Sequence, residues 1–335
     1  MIENVKKKLD SLFKEANFET FFFDSNLNKR NKYCFDLLVK KEDSIFLVKV
    51  FPNIDNLNKD IVKAIKDTSL ILKSKPLLIG IKNRYQNLDD GTIYIREDLP
   101  FITLNTLENI LKNVKYPYVL SQKGGKICFI NGDLLRTLRE NKNISRKEMA
   151  DKIGITKRTI YSYENERMRP TQDIAEKILK ILESQSILKK INLLEWHLKL
   201  QPQPDDEDQG ELNIFESHLQ NIFEDIGVLT YWHKKGQLPF ELTLSSNNSE
   251  SEKISNFYPL FSGVSQESDS RKITKINLNK FLSFAKIFQK NALFIIDNEF
   301  KIPEFVKNTN IPIIKVKKLE KVDNEKEFKD LIQEN

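Results

Sequence analysis

Cysteine is almost missing from this chain: Cys34 and Cys128 are the only two, too few and too far apart for a disulfide framework or a zinc cluster. Both stand in apolar, strand-like runs, where a thiol packs as a small hydrophobe. Histidine is nearly as scarce, with His197, His218 and His233 scattered along the sequence. There is no His-rich metal cluster, no Ser-His-Asp order and no nucleotide loop, so no metal or cofactor is expected. No apolar run approaches the ~20 residues that a membrane-spanning helix needs. Residues Met1 to Leu12 read as a charged amphipathic helix with Val5, Leu9 and Leu12 on its apolar side, and they lack the apolar stretch and small-residue cleavage site of a signal peptide. The expected location is the cytoplasm, with no membrane partner.

What is present suits a soluble globular protein. The 335 residues are 39% hydrophobic and 30% charged, enough for two or three domains, each with its own core. A net charge of +6 is modest for this length and argues only weakly for a nucleic-acid partner. The placement of arginine says more. Of ten arginines, six (Arg136, Arg139, Arg146, Arg158, Arg167 and Arg169) fall within one window of 34 residues. Elsewhere the cation is mostly lysine, which suits a solvated face, whereas the planar fork of arginine suits phosphates and guanine edges.

Punctuation divides the chain into blocks. Gln201 to Glu211 (QPQPDDEDQGE) combines two prolines, an acidic run and a glycine, leaves nothing to bury and reads as a linker. A softer boundary falls at Tyr116 to Lys126, around Pro117, Gly124 and Gly125. The first block, 1–122, reads as helix, three strands, helix and strand, with strands at Phe18–Phe23, Tyr33–Val39, Ser44–Phe51 and Pro76–Ile81 and helices at Ile2–Ala16 and Asn56–Leu72. A further strand at Thr92–Ile95 and a strand and helix over Phe101–Asn113 close it, an order that implies an α/β sheet with helices on its faces. The third block, 212–335, follows the same order. Phe35-Asp36-Leu37 matches Phe240-Glu241-Leu242, and Pro100, Ile102, Leu104, Leu107, Glu108 and Ile110 match Pro312, Ile314, Val316, Leu319, Glu320 and Val322, so the third block is a candidate repeat of the first.

Between them, 126–200, four short helices can be read. Asn131 or Asp133 caps the first, with Leu134, Leu135 and Leu138 as its apolar face. Ser145 caps the second, and Glu148 completes a capping box. Gly154 stands where a tight turn excludes a Cβ. Thr156 caps the third, whose Ile160 and Tyr163 face inward, and Pro170 and Thr171 open the fourth, with Ile174, Ile178 and Ile181 inside. Small Ala150 lets the second and third helices cross closely.

The spacing Ser145, Ala150, Gly154, Thr156, Ile160, Glu164, Pro170 resembles the Cro/CI-type, lambda-repressor-like helix-turn-helix family. That resemblance makes the third helix the recognition helix and double-stranded DNA the partner. Thr156, Lys157, Arg158, Tyr161 and Ser162 would meet base edges in the major groove. Arg146, Asn165, Arg167 and Arg169 would meet phosphate, and Glu164 would be an intradomain hydrogen-bond partner. Beyond the four helices, Ile187, Ile191, Leu194 and Leu198 recur at helical spacing and suggest a dimer helix, hence a homodimer on an inverted repeat.

The first block resembles the restriction-endonuclease-like fold, in which an acid on the second strand and an acid-x-lysine on the third hold a divalent metal. Asp36 and Lys49 stand at the outer positions, but Leu47 replaces the intervening acid, and Glu241 in the third block has no matching acid and lysine. Both blocks therefore read as non-catalytic copies. The expected whole is an α+β multidomain chain, with a central all-α helix-turn-helix domain flanked by two α/β domains resembling degenerate restriction-endonuclease-like folds. FDLLVKK at Phe35–Lys41, FLVKV at Phe46–Val50 and PLLIG at Pro76–Gly80 extend the resemblance to archaeal HTH-type transcriptional regulatory proteins. A transcription regulator whose flanking domains meet an effector or protein partner is the expected function. A metal-dependent nuclease and an antitoxin-like DNA binder are the alternatives.

Overall fold

A computed structural model describes residues 2–23, 33–196, 212–233, 236–246, 257–266 and 275–334. The expected linker, 201–211, lies outside them. The chain forms two compact units: Met1–Thr20, Phe46–Asn58 and Lys75–Leu198 make the first, and Phe21–Ile45, Lys59–Ser74 and Lys199–Asn335 the second. In this division the larger part of the first block goes with the helix-turn-helix segment. No helix among the described residues is long and apolar enough to cross a membrane.

In the first unit, α1 (Ile2–Glu15) buries Leu9, Leu12 and Phe13 and lies against α3 (Leu104–Asn113). Strands β3 (Ser44–Asn53), β4 (Lys75–Lys82) and β6 (Leu99–Ile102) run parallel, with Val50 opposite Ile79 and Ile79 opposite Ile102. Their runs are apolar without alternation, as expected of parallel strands covered on both faces. β5 (Thr92–Arg96) pairs antiparallel to β6 and parallel to β7 (Val119–Gln122), and β7 folds back onto β8 (Gly125–Cys128). The boundary expected at Tyr116 to Lys126 is therefore a hairpin of the sheet. Gly124 and Gly125 sit in its turn at φ of 104° and 124°, values that only glycine adopts readily.

That hairpin also fastens the helical segment to the sheet. Cys128 N donates to Pro170 O at 2.9 Å, Lys189 N to Phe129 O at 2.8 Å and Ile191 N to Pro117 O at 2.8 Å. Ile130 bridges Leu188, and Lys75 Nζ donates to Leu194 O at 3.0 Å.

The second unit contains β2 (Leu37–Lys41), α2 (Lys59–Ile71) and a five-stranded sheet of order β13-β12-β11-β10-β9. These strands are β9 (Val228–Trp232), β10 (Leu242–Ser246), β11 (Leu260–Ser265), β12 (Ala292–Ile296) and β13 (Ile313–Lys315). β10 runs antiparallel to β9 and β11, while β11, β12 and β13 are parallel. On one side α8 (Ile214–Ile226) packs, and Phe223 meets Phe328 edge-on at 5.5 Å. Elsewhere Phe284, from α9 (Lys275–Phe288), lies among Phe23, Phe35, Phe240, Phe261 and Phe288 at ring separations of 4.7 to 6.3 Å. Aromatic burial on this scale is a large apolar contribution to the unit's stability.

The two sheets share a register. With Ile102 set on Ile314, the strand partners Ile79 and Val50 fall on Ile295 and Val264, so Lys49 falls on Gly263. The strand ends agree as well: Phe23 N donates to Asp36 O at 3.1 Å, and His233 N to Glu241 O at 2.9 Å.

Candidate nucleic-acid interface

Four helices build the site, each started by a side chain that satisfies backbone N–H groups the helix leaves open. Asn131 caps α4 (Gly132–Asn141), accepting from Leu134 N. Ser145 caps α5 (Arg146–Ile153) in a reciprocal box with Glu148, at 3.1 and 2.7 Å. Thr156 caps α6 (Lys157–Glu164), and Thr171 caps α7 (Gln172–Leu182). Gly154, at φ 87°, ends α5 in the left-handed region and turns the chain into α6. Leu135, Met149, Ala150, Ile153, Ile160, Tyr163, Ile178 and Leu182 form the core. In α7 the buried face is Ala175, Ile178 and Leu182, while Ile174 and Ile181, expected inside, are only partly covered.

Beneath α6 lies a charged knot. The Glu164 side chain is 0% exposed and accepts from Arg139 Nε at 2.7 Å and Arg146 Nε at 2.7 Å, with Arg136 Nε at 3.5 Å. Arg139 also donates to Ile144 O at 2.8 Å and to Glu140 at 3.0 Å. Burial pushes the Glu164 carboxyl up, but the hydrogen bonds and charges of Arg139 and Arg146 outweigh it and hold the group below the ordinary glutamate range. A buried carboxylate paired in this way ties α4, α5 and α6 into one piece.

The residues expected at DNA are distributed as follows. Lys157 and Arg158 are exposed at the start of α6. Thr156 is exposed, but its hydroxyl is committed to capping and to Thr159 Oγ1 at 2.8 Å. Tyr161 is 42% exposed, with Arg146 and Arg167 guanidinium groups 5.5 and 5.9 Å from its ring centre. Ser162 is half-buried, and its carbonyl accepts from Arg167 N at 2.9 Å. Asn165 turns inward: its amide donates to Tyr161 O at 2.7 Å and its oxygen faces Arg136 at 3.5 Å. Arg167 and Arg169 are exposed after the helix, and the Arg169 guanidinium lies 3.9 Å from the centre of the Phe129 ring.

The segment expected as a dimer helix is not a helix among the described residues. Ile187 is buried in the core of the four helices, and Asn131 N donates to its carbonyl at 2.7 Å. Ile191 and Leu194 are partly covered in an extended strap interrupted by a short 3-10 turn, Leu193–Glu195. Leu198 lies outside the described residues. The apolar spacing is real, but successive residues of the strap reach different neighbours.

Sequence reasoning also missed Gly132, which is buried where α4 crosses the end of α6. A Cβ there would collide with the Glu164 carbonyl and lie 2.6 Å from its carbon. It missed Phe129 as well, for want of any local signal that Arg169 would fold onto it.

The restriction-endonuclease-like metal position does not fit an ion. Leu47, at the place of the second acid, is an apolar side chain 1% exposed. In the third block Gly263 stands at the lysine position, with the Phe294 ring in the space that a Cβ would need, and the Glu241 carboxylate accepts from Val264 N at 3.1 Å. Among the described residues no group of three His, Cys, Asp or Glu side chains could hold a metal ion.

This chain resembles known proteins in two segments and along most of its length. A family model described as a PD-(D/E)XK superfamily domain matches residues 2–117, and one described as helix-turn-helix matches residues 135–186. A protein of Methanocaldococcus jannaschii named "Putative HTH-type transcriptional regulatory protein" is 27% identical over 294 residues, covering 87% of this chain and 86% of its own. Proteins of the same name from Methanobrevibacter smithii and Methanothermobacter thermautotrophicus are 28% and 26% identical, covering 98% and 99% of this chain and 96% of each of theirs. No solved structure matches the chain.

Proposed function

We propose that this chain, related over most of its length to archaeal HTH-type transcriptional regulatory proteins, binds specific sequences of double-stranded DNA and regulates transcription by placing α6 in the major groove. The observation that carries this reading is the start of α6. Lys157 and Arg158 project there, exposed and with no hydrogen bond or ion pair among the described residues, from a helix locked by the buried Glu164 knot. Free cationic donors on a rigid helix suit guanine O6 and N7, with Thr156 exposed at the same end and the half-buried Ser162 farther along the helix. Tyr161 serves better as a platform that aims Arg146 and Arg167 at phosphate than as a base reader. Arg169 completes the phosphate set, and Asn165 leaves it, because its amide is committed to the end of α6. Two copies on half-sites about one helical turn apart, ~34 Å, would read an inverted repeat, paired through a surface other than the Ile187–Leu194 strap. Effectors or protein partners would act on the flanking sheets.

The test separates reading from holding. Arg158→Ala should cost ~1 to 3 kcal/mol on a duplex selected by the wild-type protein and little on random duplex. Arg169→Ala should weaken both alike and lower the slope of log affinity against log salt by about one. Equal behaviour of the two variants on both probes would remove α6 from the groove.

The sheets are scaffold rather than nuclease on this reading, and the third block is a second copy of the first, as the shared register supports. Leu47 and Gly263 supply no oxygen or amine where metal-assisted cleavage needs them. Supercoiled and linear DNA should therefore stay intact with Mg²⁺ or Mn²⁺. Cleavage that disappears on Asp36→Ala would reverse the assignment.

A further inference from the structure

The β7–β8 hairpin belongs to the sheet by register, yet its second strand is bonded to the segment that leaves α6. Ile127 bridges Thr171, Cys128 N donates to Pro170 O at 2.9 Å, and Phe129 carries the Arg169 guanidinium at 3.9 Å. The hairpin is thus fixed beside Arg167 to Pro170, the stretch assigned above to phosphate. From Cys128 to the turn is about 10 to 13 Å of strand, a short step along a DNA backbone.

The turn itself is built without bulk. Gln122 pairs with Gly125, leaving Lys123 and Gly124 at the tip, all exposed. A Cβ on Gly124 or Gly125 would meet nothing within 4 Å, so neither glycine makes room for a neighbour in this chain. Their left-handed backbone keeps the tip free of every side chain but Lys123. The nearby Lys126 is paired with Asp89 at 2.6 Å, and Glu176 of α7 accepts from Gln172 at 3.1 Å. Lys123 makes no hydrogen bond or ion pair among the described residues.

We infer that the β7–β8 turn is a second DNA contact, in which Lys123 and the bare backbone of Gly124 and Gly125 lie against the sugar-phosphate chain beside the phosphates of Arg167 and Arg169. This rests on the assignment of α6 to DNA and extends it to a sheet element outside the four helices. A compact ammonium on a flexible stem recognises phosphate as a point charge, so the contact adds affinity and positions the protein without reading sequence.

The test uses full-length protein and a duplex selected by the wild type from a random-sequence library, measured by anisotropy from 50 to 200 mM salt. Lys123→Ala should lower the salt slope by about one, a change of roughly threefold in relative affinity across that range. Base preference and the thermal midpoint should not move, and Lys123→Arg should restore the slope. At any one salt concentration, trimming the duplex flank next to the hairpin should weaken the wild type as much as Lys123→Ala weakens binding to the full duplex, and should leave Lys123→Ala unaffected. An unchanged slope for Lys123→Ala, beside a lowered one for Arg169→Ala, overturns the hairpin contact and leaves α6 in place. A wild type that selects no duplex overturns both.

Discussion

Replacement of Glu164 by alanine should unfold the helix-turn-helix before it alters any contact with DNA. The substitution removes the acceptor of two arginine hydrogen bonds and leaves Arg139, which is 5% exposed, without its buried counter-charge, held only by the Ile144 carbonyl and the more exposed Glu140 carboxylate. Breaking a buried pair from one side costs about 3 to 5 kcal/mol, a large part of the 5 to 15 kcal/mol that holds an ordinary domain together. Urea unfolding followed by circular dichroism should show the loss, and binding to a selected duplex should fall with it. Glu164→Gln keeps an acceptor but not the charge and should fall between. The pair Glu164→Leu with Arg139→Met removes both charges and should recover most of the stability, because a well-packed apolar pair can match a buried ion pair. The pH dependence has a definite sign. The Glu164 carboxyl is held below its ordinary range in the folded protein, so its stabilisation is complete above the unfolded-state value and is lost as pH falls through the folded-state value. A Glu164→Ala protein that unfolds at the wild-type midpoint would show that the knot holds nothing.

Much of this site is legible in local sequence because its signals are local. Ser145 with Glu148, Thr156 before Lys157 and Gly154 between the helices each act within a few residues, and the structure uses each one for the expected cap or turn. Strands covered on both faces are similarly readable, since a run such as Leu77, Leu78 and Ile79 is buried throughout and has few alternatives to a covered strand. Features that depend on distant partners are not readable. Gly124 and Gly125 look like linker punctuation, and only the pairing of β7 with β5 makes them the turn of a sheet hairpin. Ile187, Ile191 and Leu194 have helical spacing, but the carbonyl of Ile187 is claimed by Asn131 and Leu188 is bridged to Ile130, which holds the strap extended. The division of the first block is hidden for the same reason: Phe23 and Phe35 find Phe284, some 250 residues away, and no period in the sequence announces it. Asn165 was expected at phosphate from its position in the motif, whereas its side chain closes the helix from which it hangs.

Gly132 provides a sharper test of the packing, because two ordinary effects predict opposite signs there. Gly132 opens α4, and replacing a helical glycine by alanine normally stabilises, by up to about 1 kcal/mol, through the lower entropy of the unfolded chain. The left-handed region is not at issue, since Gly132 is not among the residues of positive φ. Space is the issue. The atom that a Cβ would strike is the main-chain carbonyl of Glu164, and the Tyr163 carbonyl oxygen lies 2.9 Å from the same point. Neither belongs to a flexible side chain that can swing away, so α4 and the end of α6 must separate. Separation would lengthen the hydrogen bond from Gly132 N to Glu166 Oε1, now 3.1 Å, and pull Glu164 from Arg139. Overpacking of this kind costs about 1 to 3 kcal/mol and more where backbone has to move, so Gly132→Ala should lose about 3 kcal/mol. Specific binding should weaken along with stability, because the displaced helix is the one that carries Lys157 and Arg158. Urea midpoints decide the matter: a Gly132→Ala protein as stable as the wild type, or more so, would mean that α4 and the end of α6 leave room for a Cβ between them.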